Sequence, residues 1–412
     1  MSPFTATKNK PRPLEGIRVV ECGVWHAGPG GAAILADLGA EVIKIEAFGG
    51  DPERTQGRSL GTVTFGGVEK KDWTLLFEIS NRNKKGICLD VASPEGQEIL
   101  KRLVASADIF LTNLRKTTIP KLGLDYDSIK AANPEIIHVS ASGFGAEGPM
   151  SEYGGFDPMG QAVSGMVFLA GRDEPVVLQT FILDQLTAIT ISHAAQTALL
   201  VRERHGHGQA VHVSLYGSAI WMLYCNLITT SVMGKNPQTK WDRTLNPPLR
   251  NCYKCKDGEW LMGTNHPEHK YWSLFCETIG ASDLLDNPKY QTTKDRTACA
   301  RELVATLDTI MLGKTRDEWL KIFNERGLLF CPVQRIDEVV TDPQAFINGY
   351  MIDVDHPTLG KVRIPGYPVQ FSENETCTGP APEHGEHTDS VLGEIGYSPS
   401  EIAELKTKGV AK

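Results

Sequence analysis

The sequence predicts an α/β fold in which a mostly parallel sheet is covered by helices on both faces. Three observations carry that expectation. Runs with strand character alternate with helical ones through the first half of the chain. Of the 412 residues, 41% are apolar and 22% charged, enough to bury a large core, which excludes wholesale disorder and fibrous structure. The 40 Gly and 24 Pro supply the many turns that such alternation needs.

Ile17–Cys22 reads as the first strand, followed by a Gly/Pro turn and a helix over Gly30–Leu38. Glu41–Glu46 alternates apolar with polar residues as a strand does, and Ile87–Val91 is another strand. Ser93-Pro94-Glu95 then opens a helix, with a serine cap, a proline at the first helical position and an acid in the first turn. That helix runs to about Ala107 and leads into strand Asp108–Leu111; helix Tyr126–Ala132 precedes strand Glu135–Ala141. Strand–helix–strand repetition implies right-handed crossovers. Helical patterns follow at Asp157–Val167 and Ile182–Arg204, then strand Ala210–Leu215 and a long apolar helix over Tyr216–Met233. Composition shifts at the polar, Pro-rich stretch 234–251. Beyond it Tyr253–Asn265 reads as a hairpin turning at Asp257-Gly258, and charge-rich helices reach about Gly327, as in a separate, smaller domain. A coil-rich tail, Asp353–Pro382, precedes a last helix at Ser400–Lys406.

With 42 Lys and Arg against 50 Asp and Glu, the net charge is −8, which argues against nucleic acid or an anionic membrane as partner. Nine scattered cysteines, an odd number, read as reduced thiols in a cytoplasmic protein rather than as a disulfide scaffold. The N-terminus has no apolar signal-peptide core, and the most apolar stretch, Phe181–Val201, carries Asp184, Gln185, His193 and Gln196, unfit for a membrane span.

Gly28-Pro29-Gly30-Gly31-Ala32-Ala33 is a G-x-G-x-x-A between strand and helix, with Glu46 ending the next strand, close to a dinucleotide fingerprint. Five residues, Gly23–Ala27, separate it from its strand, which counts against that reading and leaves a general anion site at a helix start. The basic run Asn81–Lys85 stands immediately before a strand, and Arg115, Lys116 and Lys121 come just after one; each is either a solvated turn or a phosphate contact. Asp184, where an apolar run turns helical, is either an N-cap or a nucleophilic carboxylate, and Asp157 carries an equally good capping explanation. Cys252-x-x-Cys255 lacks a partner pair, so no metal site is expected, and His205 and His207 suit a helix C-terminus. His26 sits in a strand-end loop, where function concentrates. No Walker loop or H-E-x-x-H helix occurs.

Taken in order, PLEGIRVVECG, HAGPGGAAILADLGAEVIKIE, NRNKKGICLDV, SPEGQEIL, ADIFLTNLR, KLGLDYDSIKAANPEIIHVSASGFG, GFDPMGQAVSG, CPVQRIDEVVTDPQ and APEHGEHTDSVLGEIGY make a pattern that resembles, over nearly the whole chain, the family III CoA-transferases. These act on formyl-CoA, crotonobetainyl-CoA and carnitine, or phenyllactate and cinnamoyl-CoA. The resemblance implies a Rossmann-like large domain built from both chain ends (1–215 and 336–412), a linker helix and loop (216–250) and a smaller α+β domain (251–335). It also implies an interlocked homodimer, no tightly bound cofactor, and acyl-CoA and a free carboxylic acid as small-molecule substrates. Asp184 aligns with the family's nucleophile, and CoA contacts carry over to the His26-Ala27 pair, Lys84, Asn113-Leu114 and Lys121. Lys121 replaces an Arg of some members, and Ala47 stands where the formyl-CoA enzyme has another. The α-methylacyl-CoA racemases share the fold but use a His before the Asp of a GHD triplet. Here the triplet is Gly155-Phe156-Asp157, and phenylalanine exchanges no proton, which favours transfer. An NAD-linked oxidoreductase resting on Gly28–Ala33 is the alternative from another class. Trp241, Pro247 and Pro248, with Trp221, Met222 and Tyr224 before them, are either core or dimer interface or the wall for an acyl group larger and more apolar than formyl or oxalyl; similarity to the phenyllactate enzyme implies a 2-hydroxy or enoyl acid.

Overall fold

The computed structural model describes residues 10–55, 59–60, 63–64, 74–169, 174–179, 181–235 and 242–412. Six strands form the central sheet: β1 (Arg18–Cys22), β2 (Glu41–Glu46), β3 (Lys85–Cys88), β4 (Ile109–Thr112), β5 (Ile137–Ser142) and β6 (Ala210–Ser214). All pairings are parallel, in the order β3-β2-β1-β4-β5-β6. Between and beyond them run α1 (Ala27–Asp37), α2 (Leu75–Asn81), α3 (Pro94–Ala105), α4 (Tyr126–Ala132), α5 (Asp157–Ser164), α6 (Ile182–His205), α7 (Leu215–Met222) and α8 (Tyr224–Met233).

Successive strand residues face opposite sides, and here both sides are apolar. Val19, Ile109, Leu111 and Val139 pack against Leu35 of α1 and Ile191 and Ala195 of α6. On the other face Val20, Ile43, Ile87 and Phe110 pack against Ile99 and Leu103 of α3 and Ile129 of α4. The end of the chain completes this second layer. Helices Thr388–Glu394 and Pro399–Thr407 add Val391, Leu392, Ile402 and Leu405, and Ala411 bridges to Leu89. Each such aliphatic side chain contributes about 1.5–3 kcal/mol by leaving water, so the far C-terminus belongs to the same core as β1.

The glycines of the Gly28–Ala33 motif serve close packing. A Cβ at Gly31 would lie 2.5 Å from Ile191 Cγ2 on α6, and one at Gly28 would lie 2.6 Å from Asn113 Cγ. Helix α1 starts at Ala27, three residues earlier than expected, because Pro29 falls in the first turn, where a missing N–H costs nothing. The single helix expected over 216–233 is divided at Leu223 into α7 and α8. The supposed coil of the tail contains an antiparallel hairpin, Met351–His356 with Gly360–Pro365.

The chain divides into two compact units, one of Met1–Gln238 with Gly349–Lys412, the other of Thr239–Asn348. In the second, strands Cys252–Lys254, Trp260–Gly263 and Phe330–Val333 form an antiparallel sheet with Trp260–Gly263 central. Its core gathers Tyr253, Leu261, Phe275, Leu307 and Phe323. Among the described residues no helix is long and apolar enough to cross a membrane.

Candidate active site

Strand order reverses between β1 and β4, and a parallel sheet opens a crevice beyond the carboxyl ends of its strands at such a point. A cavity of about 710 Å³ lies there. It is walled by the loop after β1 (Val24, Trp25, His26), the loop after β4 (Asn113 to Lys116), Glu53, the Gly143 and Gly155 backbones, Asp157, Leu178 and Asp184.

The first loop is held from two sides. Asn113 clamps Val24 in both directions, Oδ1 accepting from the Val24 N–H at 2.9 Å and Nδ2 donating to its carbonyl at 2.7 Å. Trp25 N–H donates to Asp51 Oδ1 at 3.1 Å, and Trp25 itself takes a left-handed φ of 62°, a strain of about 1–3 kcal/mol for a non-glycine residue. Beneath the loop lies a buried ion network created by strand register, which pairs Glu21 of β1 with Lys44 of β2. Lys44 Nζ donates to Glu21, Asp51 and the Gly23 carbonyl, each at 3.0 Å. Lys84 Nζ donates to Glu21 at 2.6 Å, the Pro29 carbonyl at 2.8 Å and Asn81 at 2.9 Å. Burial alone would raise the Glu21 pKa; the two lysines outweigh it and hold it below the usual range. For Lys84 burial wins, holding its pKa down to about 8 against the pull of Glu21.

The second wall is the start of α6. Its N-cap residue, Phe181, has φ 48° and offers no side-chain cap. The cap comes from Asp157, whose Oδ2 accepts from the N–H groups of Leu183 at 2.6 Å and Asp184 at 3.1 Å. Gln161 secures Asp157 through Oδ1 at 2.5 Å and ties the 178 segment in place, bonding both the N–H and the carbonyl of Leu178. Gly143 and Gly155 cross so closely that a Cβ on Gly155 would lie 2.7 Å from the Gly143 Cα. The GFDPMGQ segment therefore sets where α6 begins. Asp157 caps a neighbouring helix and not its own, and Asp184 caps nothing. Among the described residues the Asp184 carboxylate has no hydrogen-bond partner; it is part-buried and lines the cavity.

Burial pushes the Asp184 carboxyl up to about 7; His26 pulls it down, while Asp157 and Glu53 add to the rise. The helix N-terminus favours the ionised form, and desolvation outweighs it. His26 is buried and bonded at both ring nitrogens, Nδ1 to Glu53 Oε1 at 3.3 Å and Nε2 to Gln185 Nε2 at 2.7 Å.

Of the residues singled out from sequence, Asp184, His26, Ala27, Asn113 and Leu114 come together in this lining. Lys84 is absent from it, its ammonium spent on Glu21, and Lys121 stands exposed on the turn Pro120–Leu122, also outside the lining. The aromatic wall is likewise different from the one expected. Trp221, Met222 and Tyr224 are exposed and line no part of the cavity, and Trp241 lies outside the described residues. Trp25, Tyr153, Phe156 and Phe181 supply the rings instead, Phe156 meeting Trp25 edge to face at 5.6 Å. Sequence reasoning missed Glu53 and Gln185: Glu53 lies in a polar loop that reads as solvated, and Gln185 in a helical run where only Asp184 drew notice.

Known proteins match this chain over nearly its whole length. The model of CoA-transferase family III matches residues 14–388. A (R)-2-hydroxy-4-methylpentanoate CoA-transferase of Clostridioides difficile is 32% identical over 97% of this chain and 99% of its own. The human succinyl-CoA:glutarate CoA-transferase is 30% identical over 98% of this chain and 90% of its own. A crystal structure of a CaiB/BaiF family protein from Brucella suis superposes with a TM-score of 0.82 at 29% identity, covering 94% of this chain and all 100% of that one.

Proposed function

The chain belongs to CoA-transferase family III, and from that premise we propose that it moves CoA from an acyl-CoA to a free carboxylic acid through covalent intermediates on Asp184. One observation carries this reading: a carboxylate with no hydrogen-bond partner among the described residues, lining a cavity at the strand-order switch. Asp184 attacks the thioester carbonyl; the C–S bond breaks, and CoA leaves as thiolate with a mixed anhydride behind it. The thiolate attacks the aspartyl carbonyl, expelling the donor acid and leaving an aspartyl-CoA thioester. The acceptor carboxylate attacks that thioester, a second anhydride forms, and the returning thiolate takes the acceptor acyl group and frees Asp184. No net proton or electron is exchanged, so the energy of the thioester is kept as long as water is excluded.

The acceptor is a medium-sized acid with an apolar body, a 2-hydroxy or enoyl acid. The supporting features are the cavity volume, its walls of Val24, Leu76, Leu178 and Leu215, and the relative that acts on a hydroxy acid. A second reading, a dicarboxylic acid, is favoured by Arg115, which lines the cavity and has no carboxylate partner among the described residues, and by the relative that takes glutarate. The molecule works as a homodimer, in keeping with the exposed Ile220, Trp221, Tyr224, Ile228 and Val232 of α7 and α8. The test is a mass-spectrometric panel of acyl-CoA donors against hydroxy, enoyl and dicarboxylic acids. Transfer to one class names the acceptor; free acid and CoA without transfer in any pairing would contradict the assignment.

A further inference from the structure

Four carboxyl groups, those of Asp184, Asp157, Glu53 and the exposed Glu152, line the cavity with one imidazole, that of His26. A carboxylate is least at ease when buried beside others, so attack by Asp184 requires a compensating cation. The other positive side chains near this wall are committed or exposed. Lys116 donates to the Ala146 carbonyl at 2.8 Å, Arg82 at the end of α2 is paired with Asp37 at 2.5 Å, and Arg115 is exposed.

His26 is far more tightly arranged than a cavity wall needs. Glu53 meets Nδ1, and Glu53 is itself fixed: Ser80 Oγ donates to its Oε2, its N–H donates to Asp51 Oδ1 at 3.0 Å, and Thr74 Oγ1 donates to its carbonyl at 2.6 Å. On the opposite edge Nε2 meets the amide of Gln185, the residue next to Asp184, and the ring stacks on Phe181 at 6.0 Å. A buried acid on one imidazole nitrogen makes the ring more basic and fixes its orientation.

We propose that Glu53 and His26 are a positioning pair for the transfer reaction: Glu53 keeps His26 protonated, and the imidazolium is the counter-charge that holds Asp184 ionised for attack. This rests on the reading of Asp184 as nucleophile. The electrostatics run the same way. Burial lowers the His26 pKa, yet Glu53 and Asp184 overcome both burial and Arg82 and leave it raised. The Gln185 amide suits either state, donating to neutral Nε2 or, turned over, accepting from Nε2–H.

The experiment is the pH profile of kcat/KM for wild type, His26→Gln, Glu53→Gln and Glu53→Asp, with hydroxylamine capture at residue 184 run alongside. Wild type should give a bell, its acid limb from Asp184 and its alkaline limb from the imidazolium, the two behaving as a coupled pair. In His26→Gln the acid limb should move to higher pH and the alkaline limb vanish. Glu53→Gln should shift the alkaline limb to lower pH, and Glu53→Asp should restore it. An acid limb unmoved in His26→Gln, or an alkaline limb indifferent to Glu53→Gln, overturns the pair while capture at Asp184 leaves the nucleophile standing. Absence of capture in wild type removes both. Should Glu53→Gln not fold, the His26→Gln profile decides alone.

Discussion

A carboxyl group held near a pKa of 7 is a liability that the fold accepts for its chemistry. The sign is definite. A folded-state pKa raised above the unfolded value means that the unfolded chain releases this proton first. Stability is therefore lost as pH rises from about 4 to about 7, by on the order of 1–4 kcal/mol for a part-buried group. Asp184→Asn should abolish transfer and at the same time raise the thermal midpoint, the gain growing from pH 4 to pH 7 and then levelling off. A melting series across that range checks this, and an unchanged midpoint would show that the carboxyl is not strained by burial. Lys84 gives the opposite case. Read from sequence it is a CoA contact; in the structure it neutralises buried Glu21. Lys84→Met should cost about 1–3 kcal/mol, leaving Glu21 with Lys44 as its remaining cation and one carboxylate oxygen unpaired. The acyl-CoA KM of the folded fraction should not change, whereas a raised KM with intact stability would return Lys84 to the substrate. A basic residue after a helix looks the same in sequence whether its ammonium turns outward or in. What decides is where β3, which Lys84 precedes, is set beside β2 and β1 in the sheet, which no local pattern encodes.

At the scale of elements, the start of α6 is made by another helix. Asp157→Ala should lose about 1–2 kcal/mol of capping. It should lower kcat more than it raises KM, since the first turn presents Asp184; kinetics and melting on one preparation separate the two, and an unaltered kcat would detach the cap from the reaction. The motif that holds this turn, Gly155 to Gln161, was legible in sequence as a pattern, and its physical reasons emerge only in three dimensions: a glycine crossing at Gly143, a cap across helices, and an amide bridge to Leu178. Backbone strain was not legible at all. Trp25 and Phe181 carry positive φ immediately before His26 and at the mouth of α6, and neither residue type signals that conformation. The Gly28–Ala33 motif was legible and open to two meanings. Its glycines are needed where α1 meets Ile191 and where the chain meets Asn113, so they support helix packing with no nucleotide required.

For the whole molecule, strand–helix alternation announced the parallel sheet, while its strand order is seen only in three dimensions. The return of the C-terminal helices to the core face beside Val20 and Ile87 lies beyond local pattern, because contacts across more than three hundred residues leave no periodic trace. The long apolar surface of α7 and α8 should be covered by a second copy. Light scattering on wild type should give twice the chain mass, and Trp221→Glu with Ile228→Glu should lower it toward one; a wild-type monomer would contradict the pairing. The proposed chemistry turns on one event, acylation of a single side chain. The most direct measurement is to add hydroxylamine to enzyme turning over an acyl-CoA, digest it and map the modified peptide by mass spectrometry. The expected result is a hydroxamate at Asp184, formed only when acyl-CoA is present. Modification at another residue, or none while transfer proceeds, would contradict the covalent route.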